Sequence, residues 1–329
     1  MIAKMERKFR LFIIIIPLLF VSEILFGQVP NLGVTSSFAL YTAVGAFDNT
    51  GTSLVTGDIG SNTYTPTGFP VPGTEVGNIY HAGDALSSQA ATDVGSAYGY
   101  LSTLGGDVLG TSIIDGQIIT PGTWNTGAAS TLNGSVTLDG QGNPNAIFII
   151  RIGGAFATGT FSNIVLTNSA SLCNVYWQIN GQFDLGNGSV FRGTVIVNGA
   201  INLLGNSSLL GRGLSTAGAI SLQNNIVTNP SVAAAGTITG TATACQSQTG
   251  VLYSVPTITN ATGYIWILPT GATITAGNNS NSITVNFSST ASSGDITVYG
   301  TNACGNGIES PNYALTISSL PQTSSIFHQ

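Results

Sequence analysis

The sequence predicts a mostly β chain: a parallel β-helix of triangular cross-section flanked by one long α-helix, then a C-terminal β-sandwich. The first observation is a repeat. "GGAF" at 153–156, "NGQF" at 180–183, "NGAI" at 198–201 and "AGAI" at 217–220 recur at offsets of 27, 18 and 19 residues, each opening an apolar-x-apolar strand. A period of 18–19 residues holding three strand-and-turn units suits one solenoid coil. A run of antiparallel hairpins shares the composition but does not impose that period. The second observation is helical periodicity confined to 84–104, and the third is a change of texture beyond 236.

Taken in order, Lys4, Arg7, Lys8 and Arg10 precede "LFIIIIPLLF" at 11–20 and "SEILFGQ", the layout of a secretory signal peptide over 1–28, with cleavage near Gly27 or Gln28. The apolar run is short for a bilayer and Glu23 follows it. The solenoid is expected over 33–229. Within it, the Pro/Gly-rich stretch 61–83 is too long for an ordinary connection and is expected to cap open strand edges. In 84–104, Leu86, Ala90, Val94, Ala97, Leu101 and Leu104 form one stripe, with Asp84 as the N-cap and Gly105 as the stop. Strands follow in "SVTLD", "AIFIIRI", "NIVLT", "VYWQI" and "TVIVN", with Phe156, Phe183, Ile201 and Ile220 stacked inward.

Residues 230–236 read as a linker and 237–318 as a second domain of short strands between Pro/Gly turns. Cys245, Trp266 and Cys304 follow the Cys…Trp…Cys order of an immunoglobulin-like (Ig-like) sandwich, so Cys245 and Cys304 are expected to pair and Cys173 to be a buried free thiol. The tail, 319–329, is expected to be loose.

Composition narrows function. Beyond residue 28 the only basic residues are Arg151, Arg192 and Arg212, against eleven acids, a net charge of about −8. Nucleic acid is excluded as a partner, because nothing can neutralise a row of phosphates. His81 and His328 are the only histidines, and His81 stands in a Gly-rich loop. Asp48, Asp58, Asp107, Asp115, Asp139 and Asp184 are scattered singly, most of them in turn contexts where a carboxylate caps its own backbone. Arg192 and Arg212, in "FRG" and "GRG", are expected one above the other at a coil corner. There is no Cys/His cluster, calcium repeat or phosphate loop, so no metal, no cofactor and no enzyme activity are expected.

"NTGTSLVTGDIGSN" (49–62), the helix at 84–104, "DGQGNPNAIFIIRIGG" (139–154), "CNVYWQING" (173–181), "FRGTVIVNGAI" (191–201) and "GRGLSTAGAISL" (211–222) together resemble the microbial ice-binding protein family with a discontinuous right-handed β-helix. The resemblance covers about 33–229 and implies coils stacked out of sequence order with the helix along them. "TNACG" and "NSITVNF" similarly resemble PKD-like, Ig-like modules of secreted proteins.

Family members carry Thr-(Ala/Gly)-x-(Thr/Asn) ladders on one flat face. The equivalents here are Thr50 and Thr52, Thr126 and Ser130, then Thr158, Thr160 and Ser162, followed by Asn187 and Ser189, Asn206 and Ser208, and Asn224. Phe161 and Leu204 are expected to interrupt the face. The resemblance implies a secreted, monomeric protein whose partner is an ice crystal surface. The alternative is a cell-surface adhesin or matrix protein that binds polysaccharide or the cell envelope. A polysaccharide lyase or hydrolase would need paired carboxylates or basic residues in one groove.

Overall fold

The computed structural model describes residues 29–302 and 304–319. The expected signal segment and all but the first residue of the tail lie outside the described residues. Short β-branched and aromatic strands separated by turns wind into coils with three faces, here A, B and C in the order the chain meets them. Face A holds Phe38–Thr42, Gly122–Asn125, Phe148–Ile152, Val175–Ile179 and the second halves of Val190–Val197 and Ser208–Ser215. Face B is one six-stranded sheet of Ser130–Leu132, Phe156–Thr158, Phe183–Leu185, Ile201–Leu203, Ile220–Leu222 and Phe47–Asn49, in that spatial order. Face C includes Ser135–Asp139, Asn163–Thr167, Ile226–Thr228, Leu54–Thr56 and Thr74–Val76.

Every pairing in the solenoid is parallel, but the stack does not follow the chain. The first coil sits on the last: Leu40 pairs with Gly213 on face A, Phe47 with Ile220 on face B, and Val55 with Val227 on face C. The 61–83 stretch continues the stack, through Thr67 against Asp48, Thr74–Val76 against Leu54–Thr56, and Ile79–Tyr80 against Ile59 and Gly60. The helix then carries the chain back along the stack, and Asp107–Val108 pairs with Trp124 and Asn125 at the far end.

The interior is apolar. Phe156, Phe183, Ile201, Ile220 and Phe47 pair in that order on face B and are fully buried. Each such side chain contributes roughly 1.5–3 kcal/mol by leaving water. Phe156 stacks on Phe183 with centroids 6.0 Å apart, which continues the column across the wider 27-residue coil.

The helix is Ala85–Thr103, and it buries Ser87, Ala90, Val94, Ala97 and Leu101 against Phe38, Tyr41, Ile149, Tyr176, Ile196 and Leu214 of face A. Small residues on that stripe let it lie close to the sheet, and the Tyr41 hydroxyl donates to Ser87 O at 2.5 Å. Its ends differ from expectation. The Asp84 carboxylate accepts from His81 N at 2.7 Å, in the preceding turn, instead of capping the helix. At the other end, Arg151 donates to Leu104 O and to Ser102 O (3.1 Å), and Gln178 to Tyr98 O at 3.2 Å. A cation on the last free carbonyls ends the helix before Gly105. No helix of the described residues is long and apolar enough to cross a membrane.

The C-terminal unit has two sheets, one of four strands and one of five, around a core that includes Tyr253, Trp266, Ile283, Val285 and Ile296. Val232 and Ala235 belong to this core, and Ala233 N and Ala235 N bond to Thr259 O and Ile308 O. The stretch read as a linker is therefore built into the second unit. Asn260 and Asn302 hold the junction, donating to Asn229 O, Ser231 O and Pro230 O at 2.8–2.9 Å.

The cysteine pairing is corrected. Cys173 bonds Cys304, with Cα atoms 4.9 Å apart, and Cys245 is an exposed free thiol. Proximity in sequence suggested the wrong partner. The turn after Gly294–Asn302 folds back against the solenoid turn Leu172–Asn174, so the covalent link joins the two units across 131 residues. Trp266 packs without a disulfide beside it, its Nε1 donating to Ser280 O at 2.9 Å.

Candidate functional site

Two of the three faces are distinguished by what covers them or crowds them. Face A lies under the helix, and the C-terminal unit is joined to the solenoid beside it through Cys173 and Ser231. Face C carries an aliphatic surface: Leu54, Val76, Ile118 and Ile226 are each more than 40% exposed, beside the half-buried Val165, Val190, Leu210 and Arg192. Face B has neither feature.

On face B the middle residue of each three-residue strand points outward. In register these are Thr131, Ala157, Asp184, Asn202, Ser221 and Asp48, with Thr67 continuing the column. Neighbouring strands in such a sheet lie about 4.7–4.9 Å apart. Asn202 donates to Asp184 at 2.7 Å, Ser221 to Asn202 at 2.8 Å, and Thr67 to Asp48 at 2.5 Å. Gln182 adds 2.7 and 2.9 Å bonds to the two Asp184 oxygens. These lateral bonds hold short side chains in fixed positions along the stack. The turn motifs do not mark this column; the apolar-x-apolar pattern of the strands does.

The glycine of the repeat lies at the A/B corner, where coils approach too closely for a side chain. A Cβ on Gly199 would come within 2.6 Å of Gly181 backbone, one on Gly218 within 2.3 Å of Gly199, and one on Gly45 within 2.4 Å of Gly218. The repeat is thus a packing device that sets the pitch of face B.

The B/C corner holds most of the expected ladder, but in two layers. Ser162 and Ser189 are at most 2% exposed and form an interior column with Ser53, Ser207 and Asn225. Ser162 N donates to Ser189 Oγ at 3.0 Å, Asn225 Nδ2 to Ser207 Oγ at 2.9 Å, and Asn225 N to Ser53 Oγ at 3.0 Å. Outside this column, Thr50, Thr52, Thr160, Asn187, Asn206 and Asn224 are exposed. Thr52 N and Oγ1 both reach Asn224 Oδ1, at 2.8 and 3.2 Å.

The remaining expected residues are elsewhere. Thr158 and Ser130 are buried at the ends of face B strands, their hydroxyls accepting from Gly186 N (2.8 Å) and Ile113 N (2.9 Å). Thr126 is buried at the A/B corner on Ala128 O, and Ser208 is half-buried on face C. As expected, Phe161 and Leu204 stand in the corner, 79% and 41% exposed. Phe161, Asn206 and Asn224 all have φ near +57° (56°, 58° and 58°), so a common left-handed turn decides which side chains point outward there.

Titratable groups serve the fold. Asp58 accepts from Asn78 N at 2.9 Å and Asp115 from Ser135 N at 2.7 Å. Hydrogen bonds from Gln141 N and Asn168 hold the Asp139 carboxyl below its ordinary range. Among the described residues no three His, Cys, Asp or Glu side chains gather as a metal site. Arg192 and Arg212 do not stack as expected. The register pairs Arg192 with Leu210 and Thr194 with Arg212, because the coil offset there is 18 residues and not 20.

The geometry agrees with that of known proteins. Residues 41–228 match the family model described as ice-binding-like, and 231–315 match a PKD-like domain. An ice-binding protein of Nostoc sp. (strain HG1) is 32% identical over 231 residues, covering 69% of this chain and 84% of that protein. The crystal structure of an ice-binding protein from an Antarctic Flavobacteriaceae bacterium has a TM-score of 0.60 at 39% identity, covering 64% of this chain and 51% of that one. That of the Antarctic ascomycete Antarctomyces psychrotrophicus has a TM-score of 0.58 at 29% identity, covering 61% of this chain and 98% of that one. The chain belongs to the ice-binding-like family.

Proposed function

We propose that the chain is an exported protein that adsorbs to ice through face B and its exposed B/C corner, and thereby restrains ice growth and recrystallisation. The observation that carries this reading is the outward column Thr131, Ala157, Asp184, Asn202, Ser221 and Asp48, short side chains at strand pitch, with Asn202 hydrogen-bonded to both Asp184 and Ser221. Groups held at fixed spacing order a water layer over the face, and that layer freezes into register with the crystal. Each anchored molecule then forces the advancing front to curve. Threonine methyls at Thr52, Thr131 and Thr160 restrict how water orients above them. Phe161 and Leu204 break the array at the B/C corner, so a modest effect on ice is the expected strength.

Export follows from the signal-like segment 1–28, and the second unit is read as an Ig-like spacer behind the ice face. The face B column has no aromatic ring on which a sugar could stack, which disfavours the adhesin reading.

The test is growth shape and recrystallisation of ice with the purified protein, then with Ser221→Tyr and Asn202→Tyr on face B, and with Thr56→Tyr on face C. Loss of activity with the face B variants alone supports the assignment. Unaltered ice growth with folded wild-type protein refutes ice binding, and loss with Thr56→Tyr alone moves the site to face C.

A further inference from the structure

We propose that the cavity beside Arg212, at the seam of the two units, binds a small inorganic anion. Arg212 is 5% exposed, and its guanidinium is one of three cationic groups beyond residue 28. Its partners are Ser36 O at 3.1 Å from Nε, Thr194 Oγ1 at 3.1 Å from Nη1, and Ser231 Oγ from Nη2. All three are neutral. An arginine has five N–H donors, so one N–H on each terminal nitrogen is left over.

A cavity of about 180 Å³ opens beside it, and none of its lining residues is acidic. The solenoid supplies Ser36, Ser37 and Tyr176 to the lining, and the second unit supplies Ser231 and Asn306, with the Cys173–Cys304 bond in the wall. A buried charge without a counter-charge is costly, and an anion that takes the free guanidinium N–H groups would remove that cost; the lining serine hydroxyls already donate to Gly33 O, Val34 O and Ser36 O. Burial already lowers the Arg212 pKa to about 10. The anion would join both units at the point where the disulfide joins them.

The test uses the full chain. Crystals soaked in sodium bromide are expected to show an anomalous peak within hydrogen-bond reach of the Arg212 Nη atoms, and the chloride-35 line broadening caused by the protein should fall as added chloride saturates the site. Arg212→Gln should weaken anion binding at least tenfold. Because that variant removes three fold contacts, Ser231→Asp is the second. It places a carboxylate where the hydroxyl already meets Arg212, and should abolish the bromide peak while the disulfide still forms. Only water in the cavity of a bromide-soaked crystal, or unchanged chloride broadening in Ser231→Asp, overturns the proposal.

Discussion

Asn225 sits at the seam where the chain closes its stack out of order, and removing its side chain tests what holds that seam. The carboxamide is 1% exposed, donates to Leu204 O at 2.8 Å and to Ser207 Oγ at 2.9 Å, and accepts from Gln223 N at 2.5 Å. Its backbone N–H reaches Ser53 Oγ, 172 residues away, and Leu54 N donates to Asn225 O at 2.8 Å. Asn225→Ala leaves the backbone bonds in place, including Ser207 N to Leu204 O at 3.1 Å, but strands the Gln223 N–H and the Ser207 hydroxyl beneath the corner. Each stranded buried group costs about 1–3 kcal/mol. Gln223 is an exposed residue, so water partly relieves its N–H, whereas Ser207 is 1% exposed, and the expected loss is about 2–4 kcal/mol. Urea unfolding of wild type and variant at one pH measures it, and Tm should fall by on the order of 10 °C. Asn225→Ser, which keeps a short hydroxyl like its neighbours in the column, should recover about half. A loss below about 0.5 kcal/mol, the level of an ordinary surface substitution, would refute the claim that the buried column holds the seam.

Other outcomes follow from the same geometry. Cys304→Ser should lower stability by about 2–5 kcal/mol in denaturant unfolding through loss of a long closed loop, whereas Cys245→Ser should leave unfolding and the Cys173–Cys304 disulfide unchanged. Gly218→Ala places a methyl 2.3 Å from Gly199 backbone, and should cost about 1–3 kcal/mol by denaturant unfolding and reduce ice activity by spreading face B. Tyr253 is pushed up to about 12, chiefly by burial, while its unfolded value is near 10. The folded state therefore keeps the proton longer, so the contribution is fully present below about pH 10 and is lost as pH rises through 12. Tyr253→Phe should flatten that alkaline fall, followed by far-UV circular dichroism, at the expense of the 3.1 Å bond to Thr241 O.

The candidate site was half legible before the fold was known. Thr52, Thr160, Asn187, Asn206 and Asn224 were found by their motif and are exposed, but Ser162 and Ser189 from the same turns are buried. In a strand, successive side chains alternate sides, so composition alone separates inside from outside. In the corner, a single residue at φ near +57° reverses the count, and serine is as suitable for an interior hydrogen bond as for a wet surface.

By itself the sequence determined the coil period, the inward column from Phe156 to Ile220, the small-faced helix stripe and the want of clustered chemical groups, since each is a local repeat or a composition. Only the tertiary structure decided that the first coil lies on the last, that Cys173 and not Cys245 meets Cys304, and that the glycine repeat spaces the coils without itself forming the outward column of face B. Those outcomes depend on pairs more than 100 residues apart or on neighbouring coils whose backbones leave no room for a Cβ. Neither leaves a periodic trace along the chain, because strand pairing is read by backbone groups that every residue shares.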